Sequence, residues 1–378
     1  MFDIVPESAM EEGRATDAYF LRTEEALNHA GRNPRVVAEV TADQFPTGEF
    51  ELFAGLADAA KLLEGHDLDA DAIPEGILFD GGPVMRIEGP YLEFARLETS
   101  LLGFLSPPSA MATAALEARR AAPETSLLSF GARHVPPSIA GTVDRSALLA
   151  GFDGFSHVAA GDLIDREASG TMPHALVICF GPGNQEEAWR AFDEAVDPDV
   201  PRIALCDTYD DEVDEAVRAA GLGFDSVRLD TTGSRRGDFR HIVRETRWKL
   251  DVNGHEDVDI FVSGGITPGT IRQLADVTDG FGVGSHITNA DPVDFALDIV
   301  EVEGEPAAKR GKLSGKKEVY RTPDGGHHVA LADSDGPNEG EALLEPLLRD
   351  GEIVTEFDLD AAAARARKDA ERVGFGSE

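Results

Sequence analysis

Over the first hundred residues, apolar positions recur at helical spacing in 17–29 and 56–63 and alternate with polar ones in 36–40 and 49–53. This predicts two helices and two short strands. From about Ser126 the texture changes, with short apolar runs at 127–130, 202–206, 226–229, 259–262 and 280–283 separated by amphipathic stretches at 185–195, 212–220, 239–250 and 270–277. Strand then helix, repeated, signals a parallel sheet covered by helices, so the fold class is α/β, as a (β/α) barrel or a doubly wound sheet. The run Ala175 to Phe180 fits a helix or a strand by periodicity alone. After Glu303 the pattern gives a hairpin over 320–330 around Asp324-Gly325-Gly326, an acidic loop over 333–341, helices over 343–348 and 361–372, and a strand over 352–357 between them. The acidic stretch Asp67-Leu68-Asp69-Ala70-Asp71 reads as a solvated turn.

Composition narrows the partners. The 378 residues suffice for two to three domains with a sizeable core. The 71 acidic residues exceed the 34 basic ones by 37, and only seven of the latter are Lys (positions 61, 249, 309, 312, 316, 317 and 368). So negative a field argues against nucleic-acid or membrane-surface binding. Acid-rich, Lys-poor chains suit a salt-saturated cytoplasm, where self-repulsion is screened, so a halophilic source is expected. Cys179 and Cys206 are too few for a disulfide framework. Without a basic-then-apolar leader or an 18-residue apolar run, the expected location is the cytoplasm.

In a parallel barrel the reactive groups stand at the C-terminal ends of the strands. Here those ends read Phe130-Gly131-Ala132-Arg133, Cys206-Asp207-Thr208, Arg228-Leu229-Asp230, Ser263-Gly264-Gly265 and Gly282-Val283-Gly284-Ser285. Thr267 as N-cap and Pro268 at the first helical position open a helix after the fourth. Two glycine turns on neighbouring late strands can cradle a phosphate, the plainer alternative being tight strand-to-helix turns. Asp207 and Asp230 can hold a divalent cation, grip ribose hydroxyls or stabilise a cationic transition state; they can equally cap helices. Arg133 and Arg228 suit a pyrophosphate, or pair with nearby Asp. In Gly170-Thr171-Met172-Pro173-His174, Thr171 can cap and Pro173 begin a helix, which puts His174 in its first turn. A lone His is more often structural than catalytic, and His134, His157 and His286 carry less weight still. Four of the seven lysines fall in 309–317, a positive surface suited to a polyphosphate or an acid-rich oligomer interface, or else a solvated loop.

Together these motifs resemble the nicotinate phosphoribosyltransferase family, especially its archaeal branch. The resemblance spans most of the chain and is carried by Thr16-Asp17-Ala18-Tyr19-Phe20, Phe130-Gly131-Ala132-Arg133-His134, Gly151-Phe152-Asp153-Gly154-Phe155-Ser156 and Gly170 to His174. It continues through Asp207-Thr208-Tyr209-Asp210, Arg228-Leu229-Asp230, Ser263-Gly264-Gly265, Gly282-Val283-Gly284 and Lys309-Arg310-Gly311-Lys312-Leu313-Ser314-Gly315. Each motif alone is weak, whereas their order and spacing are specific.

The resemblance implies an irregular seven-stranded (β/α) barrel over 111–303, an N-terminal α/β domain over 1–110 and a C-terminal extension over 304–378 beside it. It implies transfer of phosphoribosyl from 5-phosphoribosyl 1-pyrophosphate to nicotinate, coupled to ATP hydrolysis, with Mg²⁺. His174 matches the histidine phosphorylated by ATP, and charge placed there would order the pyrophosphate site. Asp207 and Asp230 would serve ribose or metal, Arg133, Arg228 and Thr171 the substrate, and Gly264, Gly265, Gly282, Gly284 and Ser285 the 5-phosphate. Phe130 would stack on the pyridine ring, and Tyr19 of a second subunit would cover its other face, which requires a homo-oligomer, a dimer or as large as a hexamer. Ser156 stands where nicotinamide-using relatives carry Asp, which favours the acid over the amide.

Two departures stand out. After Asp230 the chain reads Thr231-Thr232-Gly233-Ser234-Arg235-Arg236 instead of Ser-Gly-Asp, and no Cys follows Cys206 to build the C-terminal metal knuckle of some relatives. No zinc is therefore expected, with only His327 and His328 left as conceivable ligands. The rival readings are a decarboxylating quinolinate phosphoribosyltransferase and a non-catalytic phosphate-binding barrel.

Overall fold

A computed structural model describes residues 2–376 apart from 43, 231, 232, 234–236, 324 and 335–339. The departure after Asp230, the hairpin tip at Asp324 and most of the acidic loop over 333–341 thus lie outside the described residues. The chain divides into two compact units, one of residues 1–113 with 290–378 and one of residues 114–289. Among the described residues, no helix is long and apolar enough to cross a membrane.

The first unit is built on an antiparallel sheet of seven strands among the described residues. Its order is Glu305–Pro306, Phe295–Val302, Arg35–Ala42, Pro83–Pro90, Asp69–Ala72, Glu345–Arg349 and Glu352–Ile353. Helices Ala18–His29 and Leu56–Leu63 form where the helical spacing placed them. Phe53, Leu63, Phe79, Met85 and Ile87 are at most 2 % exposed and form the centre of this core. The helix over 359–373 also follows its pattern, capped by Asp358, whose side chain accepts from the N–H groups of Asp360 and Ala361.

Two expectations fail here, each because a neighbouring strand outweighs local pattern. The stretch from Asp67 to Asp71 is no solvated turn: Asp69–Ala72 is an interior strand with its alanines buried. Burial opposes the charge of Asp71, yet hydrogen bonds from Arg349 and Arg86 hold its carboxyl below the ordinary carboxylate range. The stretch 343–348 is no helix: Glu345–Arg349 is a strand paired with Asp69–Ala72. Pro346 lacks the amide that a helix interior needs, and the sheet buries Leu347 and Leu348 instead.

The lysines of 309–317 belong to this unit. They stand on an irregular, largely exposed segment that ends in a strand at Lys317, and carboxylates of the same sheet lie beside all four. Lys309 and Lys312 lie 2.7 and 3.3 Å from Asp298, Lys316 lies 3.0 Å from Glu88, and Lys317 lies 2.8 Å from Glu39. The Glu39–Lys317 pair is buried, and Lys317 Nζ also donates to the carbonyls of Leu313 and Gly315.

The second unit carries a parallel sheet of six strands among the described residues. The order is Gly154–Phe155, Ser126–Ser129, Gly280–Val283, Asp259–Ser263, Ser226–Leu229 and Ile203–Leu205, every neighbouring pair parallel. Five of these strands coincide with the apolar runs to within one residue at most ends, and helices follow over Gln185–Ala195, Glu212–Gly221, Phe239–Val252 and Pro268–Leu274. Parallel strands aligned this way bring all their C-terminal ends to one edge of the sheet, where side chains from distant parts of the sequence converge.

The Glu39–Lys317 pair gives a stability test. Lys317→Ala strands a buried carboxylate and should cost about 3–5 kcal/mol in urea unfolding, whereas Glu39→Gln combined with Lys317→Met should recover most of that loss.

Candidate active site

The strand ends of the second unit open onto one cavity of about 560 Å³. Its walls include Phe130, Arg133, Ser156, Thr171, His174, Arg228, Asp230, Gly264, Gly265, Gly282, Gly284 and Ser285. The volume lies within the range of small-molecule sites. Asp207 stands just behind this wall, 4 % exposed. Tyr19 belongs to the other unit, exposed in the first turn of helix Ala18–His29.

His174 is the first residue of helix His174–Phe180, which decides the ambiguous run in favour of helix. The start differs in detail from expectation: Pro173 is the flanking extended residue, and Thr171 makes no cap but lines the cavity. Imidazole Nε2 lies 3.7 Å from Asp207 Oδ1 and 3.5 Å from Asp230 Oδ2, while Nδ1 lies 3.1 Å from the Thr208 hydroxyl. The ring is therefore oriented by a hydroxyl at Nδ1, with negative charge on the Nε2 side.

The two aspartates are not helix caps. That task falls to Asp211, which accepts from Val213 and Asp214 N–H, and to Asp238, which accepts from Arg240 N–H. Asp207 Oδ2 instead accepts the Asp230 N–H at 3.0 Å, and Asp230 Oδ1 accepts from the Ser263 hydroxyl at 2.8 Å. Neighbouring strand ends are thereby tied through a carboxylate. A magnesium ion asks a protein for one or two carboxylates and completes its shell with water and phosphate oxygens. The Asp207–Asp230 pair meets that demand. Among the described residues no group of three or more His, Cys, Asp or Glu is arranged to hold a metal.

Positive charge faces these acids. Arg228 lies over the Phe130 ring, 5.8 Å from guanidinium carbon to ring centre, and donates to the Met172 carbonyl at 3.0 Å. Burial presses its pKa below the ordinary arginine value and Arg133 adds to that effect, while Asp230 and Asp207 oppose it. A guanidinium stays charged through such shifts, so the cavity keeps a cationic wall for an anion. Beside it, burial raises the Cys206 thiol well above its usual range, which leaves that residue a neutral core group.

The glycines divide into two kinds. Gly264 and Gly265 have φ of +90° and +70°, a backbone that side-chain-bearing residues rarely adopt, so the turn after Ser263 requires them. Gly282 makes room for an aromatic ring: an added Cβ would stand 2.3 Å from two Phe130 ring atoms. Gly284 is confined by the Phe130 carbonyl and His134. Thr267 caps the following helix through its hydroxyl, with Pro268 at the first position, as its sequence indicated.

Some contributors had little local signal. Ser263 and Thr208 were legible as strand-end residues but not as partners of Asp230 and His174. Asp144 lies fully buried behind the wall, where it accepts from the Ser129 hydroxyl at 2.6 Å; burial raises its pKa despite that bond and the His157 N–H.

The chain is similar to known proteins in sequence and fold. Residues 17–109 match the family described as quinolinate phosphoribosyl transferase, N-terminal domain, and residues 111–298 match its C-terminal domain. The nicotinate phosphoribosyltransferase pncB1 of Mycobacterium tuberculosis is 30% identical over 84% of this chain and 79% of its own length. A crystal structure of nicotinate-nucleotide pyrophosphorylase from Pyrococcus furiosus is 46% identical, with a TM-score of 0.94 over 99% of both chains. Human nicotinic acid phosphoribosyltransferase, 24% identical with a TM-score of 0.76 over 95% of this chain and 94% of its own, shares the fold.

The Gly282–Phe130 contact is testable. Gly282→Ala should destabilise the protein by about 1–3 kcal/mol, and the same change should cost much less in a Phe130→Ala background, where no ring is displaced, as read by denaturant unfolding of the double-mutant cycle.

Proposed function

Since this chain belongs to the nicotinate phosphoribosyltransferase family, we propose that it transfers phosphoribosyl from 5-phosphoribosyl 1-pyrophosphate to nicotinate, coupled to ATP hydrolysis. The observation that carries this reading is the placement of His174 between Thr208 and the carboxylates of Asp207 and Asp230, on a cavity whose other wall is Phe130 under Arg228. In the transfer, the bond from the anomeric carbon to pyrophosphate breaks and the pyridine nitrogen supplies the electron pair of the new bond. The sugar passes through an oxocarbenium-like state, which the Asp230 carboxylate stabilises while Arg133 and Arg228 hold the leaving pyrophosphate. Mg²⁺, held by Asp207 and Asp230 when bound, would neutralise part of the pyrophosphate charge. Gly264, Gly265, Gly282, Gly284 and Ser285 receive the 5-phosphate, Thr171 contacts substrate, and Ser156 leaves room for the nicotinate carboxylate.

For ATP coupling, the terminal phosphoryl of ATP passes to a ring nitrogen of His174 with release of ADP, and water later removes it as inorganic phosphate. The added charge faces the cationic wall of Arg228 and Arg133 and orders the pyrophosphate site. Tyr19 of a second copy closes over the free face of the pyridine ring, so the working enzyme is at least a dimer, and the six described parallel strands belong to a seven-stranded barrel. A second reading, decarboxylation of quinolinate, is favoured by the description and 46% identity of the Pyrococcus furiosus protein.

One comparison separates the two. At multimolar KCl with phosphoribosyl pyrophosphate and Mg²⁺, the enzyme should form nicotinate mononucleotide from nicotinate, be stimulated by ATP, and use nicotinamide at least 100-fold less efficiently. Release of CO₂ from quinolinate with no product from nicotinate would instead establish the second reading. His174→Ala should abolish the ATP stimulation; stimulation that persists in this variant removes His174 from the coupling.

A further inference from the structure

The turn that carries Asp207 and Thr208 is gripped from behind by a buried carboxylate. Glu215, fully buried on helix Glu212–Gly221, accepts the backbone N–H groups of Thr208 at 3.3 Å, Tyr209 at 3.3 Å and Asp210 at 2.9 Å. Its Oε1 also accepts from Gln185 Nε2 at 3.0 Å, and the same Gln185 nitrogen donates to Asp210 Oδ2 at 2.9 Å. Gln185 is 1 % exposed and opens helix Gln185–Ala195, the next helix along the chain from the one that His174 begins. Three successive amides pointed at one carboxylate fix the path of a turn that has no regular secondary structure to hold it. Burying a carboxylate without such donors is costly, so the interaction is mutual: the turn solvates Glu215 and Glu215 shapes the turn.

We propose that Glu215 is a positioning residue for His174, acting through Thr208. The division of labour between its oxygens makes the claim specific. Among the described residues Oε1 takes Tyr209, Asp210 and Gln185, while Oε2 takes Thr208 alone. Thr208 is also the residue whose hydroxyl lies 3.1 Å from His174 Nδ1. The clamp thus ends on the group that orients the imidazole, and the other ring nitrogen is directed at Asp207 and Asp230. Neither Glu215 nor Gln185 lines the cavity. The effect on turnover rests on the proposed phosphoribosyl transfer; the effect on the orientation of His174 does not.

Glu215→Gln keeps the shape and can keep every bond to Oε1, but turns an amide N–H₂ towards the Thr208 N–H. It is tested with Thr208→Val, Thr208→Ser and the Glu215→Gln/Thr208→Val double variant, each checked by circular dichroism and thermal midpoint. The first readout is the rate at which diethyl pyrocarbonate carbethoxylates His174, followed by peptide mass spectrometry; the second is kcat and KM for nicotinate with ATP present. Glu215→Gln and Thr208→Val should each speed His174 modification at least threefold and lower kcat about tenfold with KM changed less than twofold. The double variant should be no worse than the single ones, and Thr208→Ser should behave as the parent. Parent-like His174 reactivity in folded Glu215→Gln, or effects that multiply in the double variant, would overturn the proposal. Should Glu215→Gln not fold, Glu215→Asp, which retains the charge but withdraws it by one methylene, is judged by the same criteria. A parent that modifies as expected but forms no nicotinate mononucleotide would sink the functional reading and leave the positioning role standing.

Discussion

The buried carboxylate of Asp207 is the constraint around which the site is organised. A nearly inaccessible anion needs donors, and it takes one from the Asp230 N–H while facing the imidazole of His174. That single group therefore couples two strand ends and one helix start. Asp230, aligned by the bond from its own amide and by the Ser263 hydroxyl, carries the next strand into the arrangement. The sheet delivers the groups to one edge, and the carboxylates set their spacing.

Charge distribution follows from the same constraint. In a chain with a net charge of −37, two placements of positive charge stand out. In the first unit Lys309, Lys312, Lys316 and Lys317 neutralise Asp298, Glu88 and Glu39 within one sheet. In the second, Arg228 and Arg133 remain on the cavity wall despite mutual repulsion and the desolvation of Arg228. An acidic surface around a cationic cavity is consistent with an anionic substrate, because the local guanidinium groups act at short range where the distant field is screened.

Packing and chemistry share residues at the aromatic wall. Phe130 occupies the space that the missing side chain of Gly282 leaves, and Arg228 covers its ring. A glycine that reads as a phosphate cradle in sequence is thus, first, the seat of a ring. Gly264 and Gly265, by contrast, are required by their left-handed backbone.

What the sequence determined by itself was five of the six described parallel strands and the residues at their ends, because strand period, helix period and capping are local properties of the chain; Ser156 entered only through the family resemblance. The Thr267-Pro268 start needed no distant partner to be legible. Other features depended on neighbours far away in sequence. Asp69–Ala72 became a strand because it pairs with Pro83–Pro90, with Arg86 and Arg349 supplying counter-charges to Asp71, and Glu345–Arg349 because it pairs with that strand in turn. The bonds from Asp207 to Asp230 and from Asp230 to Ser263, and the contact of His174 with Thr208, were decided only when the strands and helices packed. Hydrogen-bond partners separated by long stretches of chain leave no periodic trace, so tertiary structure alone selected them.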